Sequence, residues 1–205
     1  SFLKFIAKVS KPSFNKSNQQ LLQRLDSLVE QTINNEPEYK EIYSYDDKRN
    51  MTQAIAYGWD INTNAWFAWS KYNITYNSSG NYTQSIAYEW DSDTASWVAK
   101  DKMDFTYDSG GNLTQEIIYH WDSNTNDWNA RFTFDCIYDN SWNMTQLIFN
   151  GWDSNTNSWI AYSKSDHTFD ATGNMTQRIV SDWDKNTNLW VTYFKADYSY
   201  DAAGN

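Results

Sequence analysis

Ten of the 12 tryptophans in the chain fall into two columns. Trp59, Trp90, Trp121, Trp152 and Trp183 make one, and Trp66, Trp97, Trp128, Trp159 and Trp190 the other. An indole offers a broad flat face with one N–H at its rim, a surface on which a sugar ring stacks. If equivalent indoles recur on every second strand of a sheet, they stand about 9.6 Å apart, twice the strand spacing of about 4.8 Å. That spacing is close to the length of a disaccharide in an extended β-linked glycan. These ten residues are therefore the candidate ligand-binding set. Packing is the competing use of the same rings. Ten exposed indoles of about 150–250 Å² each would leave more apolar surface open than a soluble monomer carries. Most of this face is therefore expected to be covered by curling of the sheet, by a helix or by a second chain.

The loops between the columns read DINTNAW, DSDTASW, DSNTNDW, DSNTNSW and DKNTNLW. Asp122, Asn124, Asn126 and Asp153, Asn155, Asn157 echo the opening ligands of a calcium loop, but the glycine at position 6 and the bidentate glutamate at position 12 are missing. The same residues are fully accounted for as turn formers, so no cofactor is expected. His120 and His167 occupy different repeat positions, and neither position is used consistently, which suits a packed or surface imidazole better than a general base. Cys136 is alone and sits in an apolar column, where an inert thiol is expected. Asn81-Tyr82-Thr83 and Asn112-Leu113-Thr114 formally read as glycosylation sequons, secondary to their role in turns. A catalytic centre is normally a singular constellation, whereas this chain repeats each feature. No enzyme is expected.

The elements that must carry the tryptophans follow from the repeat. Asn50, Asn81, Asn112, Asn143, Asn174 and Asn205 recur every 31 residues, and a Thr-Gln pair opens each interval from Thr52-Gln53 to Thr176-Gln177. Such self-similarity marks a repeat architecture in which each unit packs on its neighbours. Within a unit the apolar period is 2, which predicts strands. Counting by alternation puts Tyr82, Gln84, Ile86, Tyr88 and Trp90 on one face with Trp97, Ala99, Met103, Phe105 and Tyr107. The other face then holds Lys100, Lys102 and Asp104, part of a Lys-x-Asp ladder, and that face reads as mostly polar. Phe67, Trp69, Phe149, Tyr162 and Tyr193 fall off the Trp face and are scattered. Turns of the YDSGGN type close one edge, with Asp capping and Gly free to take positive φ. At the other edge the Asp-x-x-Thr loop places Asn (Ala95 once) in the left-handed position and sets each Trp pair opposite each other.

The predicted fold is all-β: five antiparallel hairpin repeats forming one elongated, twisted or coiled sheet of about 11 strands. Residues 1–37 are a lead-in and an amphipathic helix, with Leu21, Leu22, Leu25, Leu28, Val29 and Ile33 on one helical face, capping the array. A half-unit spans 38–50, and full units span 51–81, 82–112, 113–143, 144–174 and 175–205.

A net charge of -10 and a pI near 4.5 exclude a basic nucleic-acid footprint and argue against an anionic membrane surface. No apolar run is long enough to span a bilayer. Ser1 and an end on a repeat boundary imply a processed piece of a longer protein. The YDxxGN element followed by Thr and an alternating aromatic strand resembles the YD-type repeats of large secreted bacterial proteins. The fuller stretch YDSGGNLTQEIIYHWDSNTNDW is similar to tandem repeats in surface or secreted proteins of the Bacteroidetes phylum, often exported by a type IX system. Arg49 and Trp142 replace the turn Gly, and Asn77 replaces the Asp. The resemblance implies an extracellular hairpin array whose partner is a glycan or another surface protein. A non-enzymatic adhesion segment is the leading expectation, and a passive stalk or spacer presenting another domain is the alternative.

Overall fold

The structure is a computed structural model and describes residues 25–31 and 37–201. Among the described residues it holds twelve strands in one open antiparallel sheet whose spatial order is the chain order. They are β1 (Ser27–Gln31), β2 (Pro37–Tyr45), β3 (Met51–Asp60), β4 (Ala65–Tyr76), β5 (Tyr82–Asp91), β6 (Ser96–Tyr107), β7 (Leu113–Asp122), β8 (Asp127–Tyr138), β9 (Met144–Asp153), β10 (Ser158–Phe169), β11 (Met175–Asp184) and β12 (Leu189–Asp197). The sheet does not close on itself, so β1 and β12 are its outermost strands, and the turns line its two long edges.

The expected N-terminal helix is overturned where the structure describes it. Ser27–Gln31 is a strand, with Val29 opposite Lys40 and Leu28 opposite Glu41. The half-unit strand β2 would otherwise leave a row of backbone donors and acceptors unpaired. A short extended segment satisfies them, and helix propensity is too weak to compete. Leu25 and Val29, 55% and 48% exposed, form no packed apolar stripe. The rest of that expected helix lies outside the described residues. This strand also makes the count twelve instead of about 11.

Both turn families form as the residues demand. Asp60, Asp91, Asp122, Asp153 and Asp184 open tight turns in which Asn64, Ala95, Asn126, Asn157 and Asn188 take φ between 49° and 54°. At the opposite edge the Asp108 N–H donates to the Asn112 carbonyl at 3.0 Å, and the Asn112 N–H returns to the Asp108 carboxylate at 2.9 Å. Gly80, Gly111 and Gly173 have φ of 80–86°, and Arg49 and Trp142 adopt 67° in their place. A side chain there costs about 1–2 kcal/mol.

Strict alternation fails at two points in every unit. In the register between β5 and β6, Ala87 faces Asp101 while Tyr88 faces Ala99, so Lys100 is an extra residue. Trp69, Arg131, Tyr162 and Tyr193 are passed over in the same way. A second slip passes over Thr52, Thr83, Thr114, Thr145 and Thr176, the Thr of each Thr-Gln pair. Each β-bulge shifts the side-chain phase by one residue. Lys102 and Asp104 therefore share the face of Trp90 and Trp97, while Met103, Phe105 and Tyr82 turn to the other. The expected division into an aromatic face and a polar face is corrected: the Trp face carries the charged ladder, and the reverse face carries small and variable apolar groups.

Few side chains are buried in a single layer. Met51, Ala54 and Ile74 form one buried cluster on the reverse face, with Tyr43, Tyr45, Tyr76 and Tyr82 packed against it. Phe134 stacks on Phe149 at 5.0 Å, and the ring of Tyr162 stands over Gly151, where an added Cβ would approach it to 2.3 Å. Tyr76 Oη donates to the Met51 carbonyl at 2.8 Å, and Tyr138 Oη to that of Leu113 at 3.0 Å. These carbonyls lie next to the Thr slips, where the ladder is interrupted.

Candidate ligand-binding face

The Trp columns meet as cross-strand pairs at one edge of the sheet. Trp59–Trp66, Trp90–Trp97, Trp121–Trp128, Trp152–Trp159 and Trp183–Trp190 have ring centroids 5.0–5.2 Å apart and planes crossed by 69–73°. This edge-to-face geometry sets the positive rim of one indole against the negative face of the other. Nine of the ten are half-buried, and Trp90 is 36% exposed. None is sealed from solvent.

Four members of the second column are covered by a cation from the preceding hairpin. Lys40 Nζ lies 4.5 Å from the Tyr57 ring centroid and 4.8 Å from that of Trp66. Lys71 stands 4.3 Å from Tyr88 and 4.9 Å from Trp97, and Lys102 is 3.9 Å from Tyr119 and 5.6 Å from Trp128. Lys164 stands 5.3 Å from Trp190. The first column, Trp59, Trp90, Trp121, Trp152 and Trp183, carries no such cation among the described residues.

Deeper on the same face the charges are paired. Lys102 meets Asp104 at 3.3 Å and Lys164 meets Asp166 at 2.8 Å. Gln84, Gln115, Gln146 and Gln177 donate to Asp104, Asp135, Asp166 and Asp197 at 2.6–2.8 Å. The site set thus includes Lys40, Lys71, Lys102 and Lys164, which sequence reasoning placed on the opposite face or left out. Their spacing in the repeat was a visible signal, but the bulge hid which side they take.

The tip loops flank the Trp pairs with carboxylates. Asp60 accepts from the Asn62 N–H at 2.9 Å and the Thr63 hydroxyl at 2.8 Å, and Asp153 accepts from Asn155 N–H at 3.0 Å and Thr156 at 2.9 Å. The Thr63 and Thr94 hydroxyls hold Asp60 and Asp91 below the usual carboxylate range. Backbone N–H groups of Asn124, Asn155 and Asn186 do the same for Asp122, Asp153 and Asp184. Of the weak metal-ligand candidates, Asp153 accepts from donors within its loop and Asp122 from the Asn124 N–H and from Asn129 Nδ2 on β8, while Asn126 and Asn157 serve the backbone through positive φ.

His120 Nδ1 is 3.0 Å from Asp101 at the surface. His167 bridges Ser165 Oγ at 2.8 Å and the Met144 carbonyl at 3.0 Å. The Cys136 thiol is buried, and burial pushes it above its ordinary pKa. His167 and Cys136 lie apart from the Trp pairs in the register, whereas His120 adjoins Trp121 and stands opposite Asn129.

No family model matches the chain, and no curated protein matches it. Among solved structures it is similar to a protein of unknown function from Bacteroides fragilis, with a TM-score of 0.53 and 16% identity over 63% of this chain and 91% of that one. A DUF3836 family protein from Bacteroides vulgatus gives a TM-score of 0.38 and 18% identity over 45% of this chain and 89% of that one. The Tc holotoxin pore of Photorhabdus luminescens gives 0.38 and 12% over 81% of this chain, which spans only 9% of that one. What the chain shares with the Bacteroides fragilis protein is its fold.

Proposed function

We propose that this chain is a non-enzymatic segment of a secreted or surface-attached bacterial protein, built from five 31-residue hairpin repeats of YD type, that binds β-linked glycans through its Trp edge. The observation that carries the reading is the row of Trp pairs, partly open to solvent and repeated on every second strand. A glycan laid across the strands would meet one indole platform about every 9.6 Å, with Asp, Asn and Thr of the tip loops beside each sugar. Each contact is weak, and several engaged together multiply. The acidic surface, with net charge -10, makes a nucleic-acid partner unfavourable.

A second reading, a passive stalk, draws on a different observation. The lysine–ring and glutamine–aspartate pairs spend most polar groups of this face within the sheet itself. The two readings separate in affinity electrophoresis through gels containing soluble β-glucans, xylans and chitosan. Glycan binding predicts retardation that falls stepwise in Trp90→Ala, Trp90→Ala/Trp121→Ala and Trp90→Ala/Trp121→Ala/Trp152→Ala. Unretarded migration in every polysaccharide by a chain with intact circular dichroism would refute it and leave the stalk.

A further inference from the structure

One junction breaks the ladder. From Lys102, Asp104, Tyr119 and Trp128, a step of one repeat leads to Thr133, Asp135, Asn150 and Trp159 on β8, β9 and β10. The aspartate and the indole remain, while the ammonium and the phenol ring are gone. At the neighbouring junctions the ammonium sits between carboxylate and rings: Lys102 is 3.3 Å from Asp104 and 3.9 Å from the centroid of Tyr119, and Lys164 is 2.8 Å from Asp166 and 5.3 Å from that of Trp190. These lysine side chains are only 16% and 20% exposed, so the position is sheltered as well as charged.

Between β8 and β9 nothing replaces the charge. Among the described residues, Asp135 accepts from neutral donors alone, Gln115 Nε2 at 2.7 Å and Asn150 Nδ2 at 2.7 Å. Among the described residues, no cation stands over Trp159. Thr133, 1% exposed, holds a buried hydroxyl oxygen with no hydrogen-bond partner, a group whose desolvation is ordinarily compensated. Asp135, Asn150 and Trp159 thus hold the repeat positions that elsewhere frame a lysine amine, with the unspent Thr133 hydroxyl at the lysine's own place in the chain.

Resting on the glycan reading above, we propose that this junction is a subsite for an external ammonium carried on a sugar: a hexosamine with a free amine within a β-linked glycan. Its ring stacks at Trp159. Its ammonium, with three hydrogens to donate, meets Asp135 and the Asn150 side-chain carbonyl, both partly exposed. The net charge of -10 and the aspartates of the tip loops attract such a glycan and repel uronate or sulfated ones. N-acetylation removes the charge and with it the complement to Asp135.

The test titrates the full chain at mildly acidic pH with three probes: β-1,4-linked glucosamine hexamer, N-acetylglucosamine hexamer and cellohexaose. The glucosamine hexamer is expected to bind at least about tenfold more tightly than the other two. Asp135→Asn and Trp159→Ala erase this preference, whereas Trp97→Ala weakens all three probes alike and leaves it. Thr133→Lys/Asn150→Tyr installs residues the repeat already uses at this position, so it folds, and it too erases the preference. Equal binding of the three probes overturns the subsite while leaving the Trp ladder standing, as does a preference that survives Thr133→Lys/Asn150→Tyr. No binding of any probe overturns both. Poly-lysine binding with the same dependence on Asp135 and Trp159, and no binding of the glucosamine hexamer, overturns the sugar in favour of a protein partner.

Discussion

The lysine that bridges one hairpin to the next is the contact whose strength decides whether the sheet behaves as one cooperative body. Lys71 offers the cleanest case. Its Nζ lies 4.3 Å from the Tyr88 ring centroid and 4.9 Å from that of Trp97, and Asn73 stands where the later units have an aspartate, so the rings act without a carboxylate. A cation over an aromatic face contributes about 0.5–1 kcal/mol when exposed and about 2 when desolvated. Lys71 is half-buried, and burial pulls its pKa below the ordinary lysine value, which places it between those limits. The coupling between Lys71 and Tyr88 is therefore expected near 1 kcal/mol. Lys71→Met keeps the apolar stem while removing the charge, and Tyr88→Leu removes the ring. A cycle of wild type, the two singles and the double is measured by urea unfolding, followed by Trp fluorescence and far-ultraviolet dichroism. Because each unit touches only its neighbours, the singles should also broaden the transition as the halves of the sheet uncouple. A coupling no larger than the about 0.3–0.5 kcal/mol within which independent sites add would refute the role assigned to the lysine ladder.

Arg49, at φ 67°, pays for a left-handed backbone that its glycine counterparts adopt freely. Arg49→Gly is expected to raise stability by about 0.5 kcal/mol, the relief of about 1–2 less the chain entropy glycine adds, read as a higher urea midpoint. Trp142→Gly should gain less, because its ring covers Gly110. Glu116 faces Phe105 and Phe134 on the reverse face, and burial raises its carboxyl pKa. Its folded form holds the proton more tightly than the unfolded chain does, so its penalty grows as pH rises through about 4.3. Glu116→Leu, which copies Leu147 of the next unit, should stabilise the protein at neutral pH, and the gain should shrink below about pH 4 in thermal melts. The turn aspartates have the opposite sign: Asn112 holds Asp108, and Asn143 holds Asp139, below the usual range. Their contribution is present above about pH 3.9 and is lost as pH falls through their lower folded values. Asp108→Ala should lower the thermal midpoint at pH 7, while Asp108→Asn, the residue already present at Asn77, should be nearly neutral.

The features legible in the sequence were those set by local backbone chemistry. Asn64, Asn126, Asn157 and Asn188 mark positive φ because their short polar side chains tolerate it, and Ala95 adopts the same angle because the loop around it is unchanged. Opposed Trp pairs follow from the loop length between them. Side-chain phase was not legible. A bulge leaves no compositional mark when its residue is Trp69 in one unit, Lys100 in the next and Arg131 in a third, and counting by twos then assigns every later residue to the wrong face. The recurrent Thr before Gln was a better clue, since the ladder slips there each time. Ser27–Gln31 misled for another reason. Leucines at helical spacing are a local signal, whereas the need of β2 for a partner is a tertiary one.

Because the strands lie in chain order, each lysine reaches only one hairpin ahead. Excising residues 82–112 would bring Lys71 against Tyr119 and Trp128, groups of the same kind as those it leaves. Such a chain can be lengthened or shortened by whole multiples of the unit without meeting an unfamiliar seam. Duplication of a gene segment therefore yields a longer sheet in a single step, with every new seam of a kind the molecule already contains.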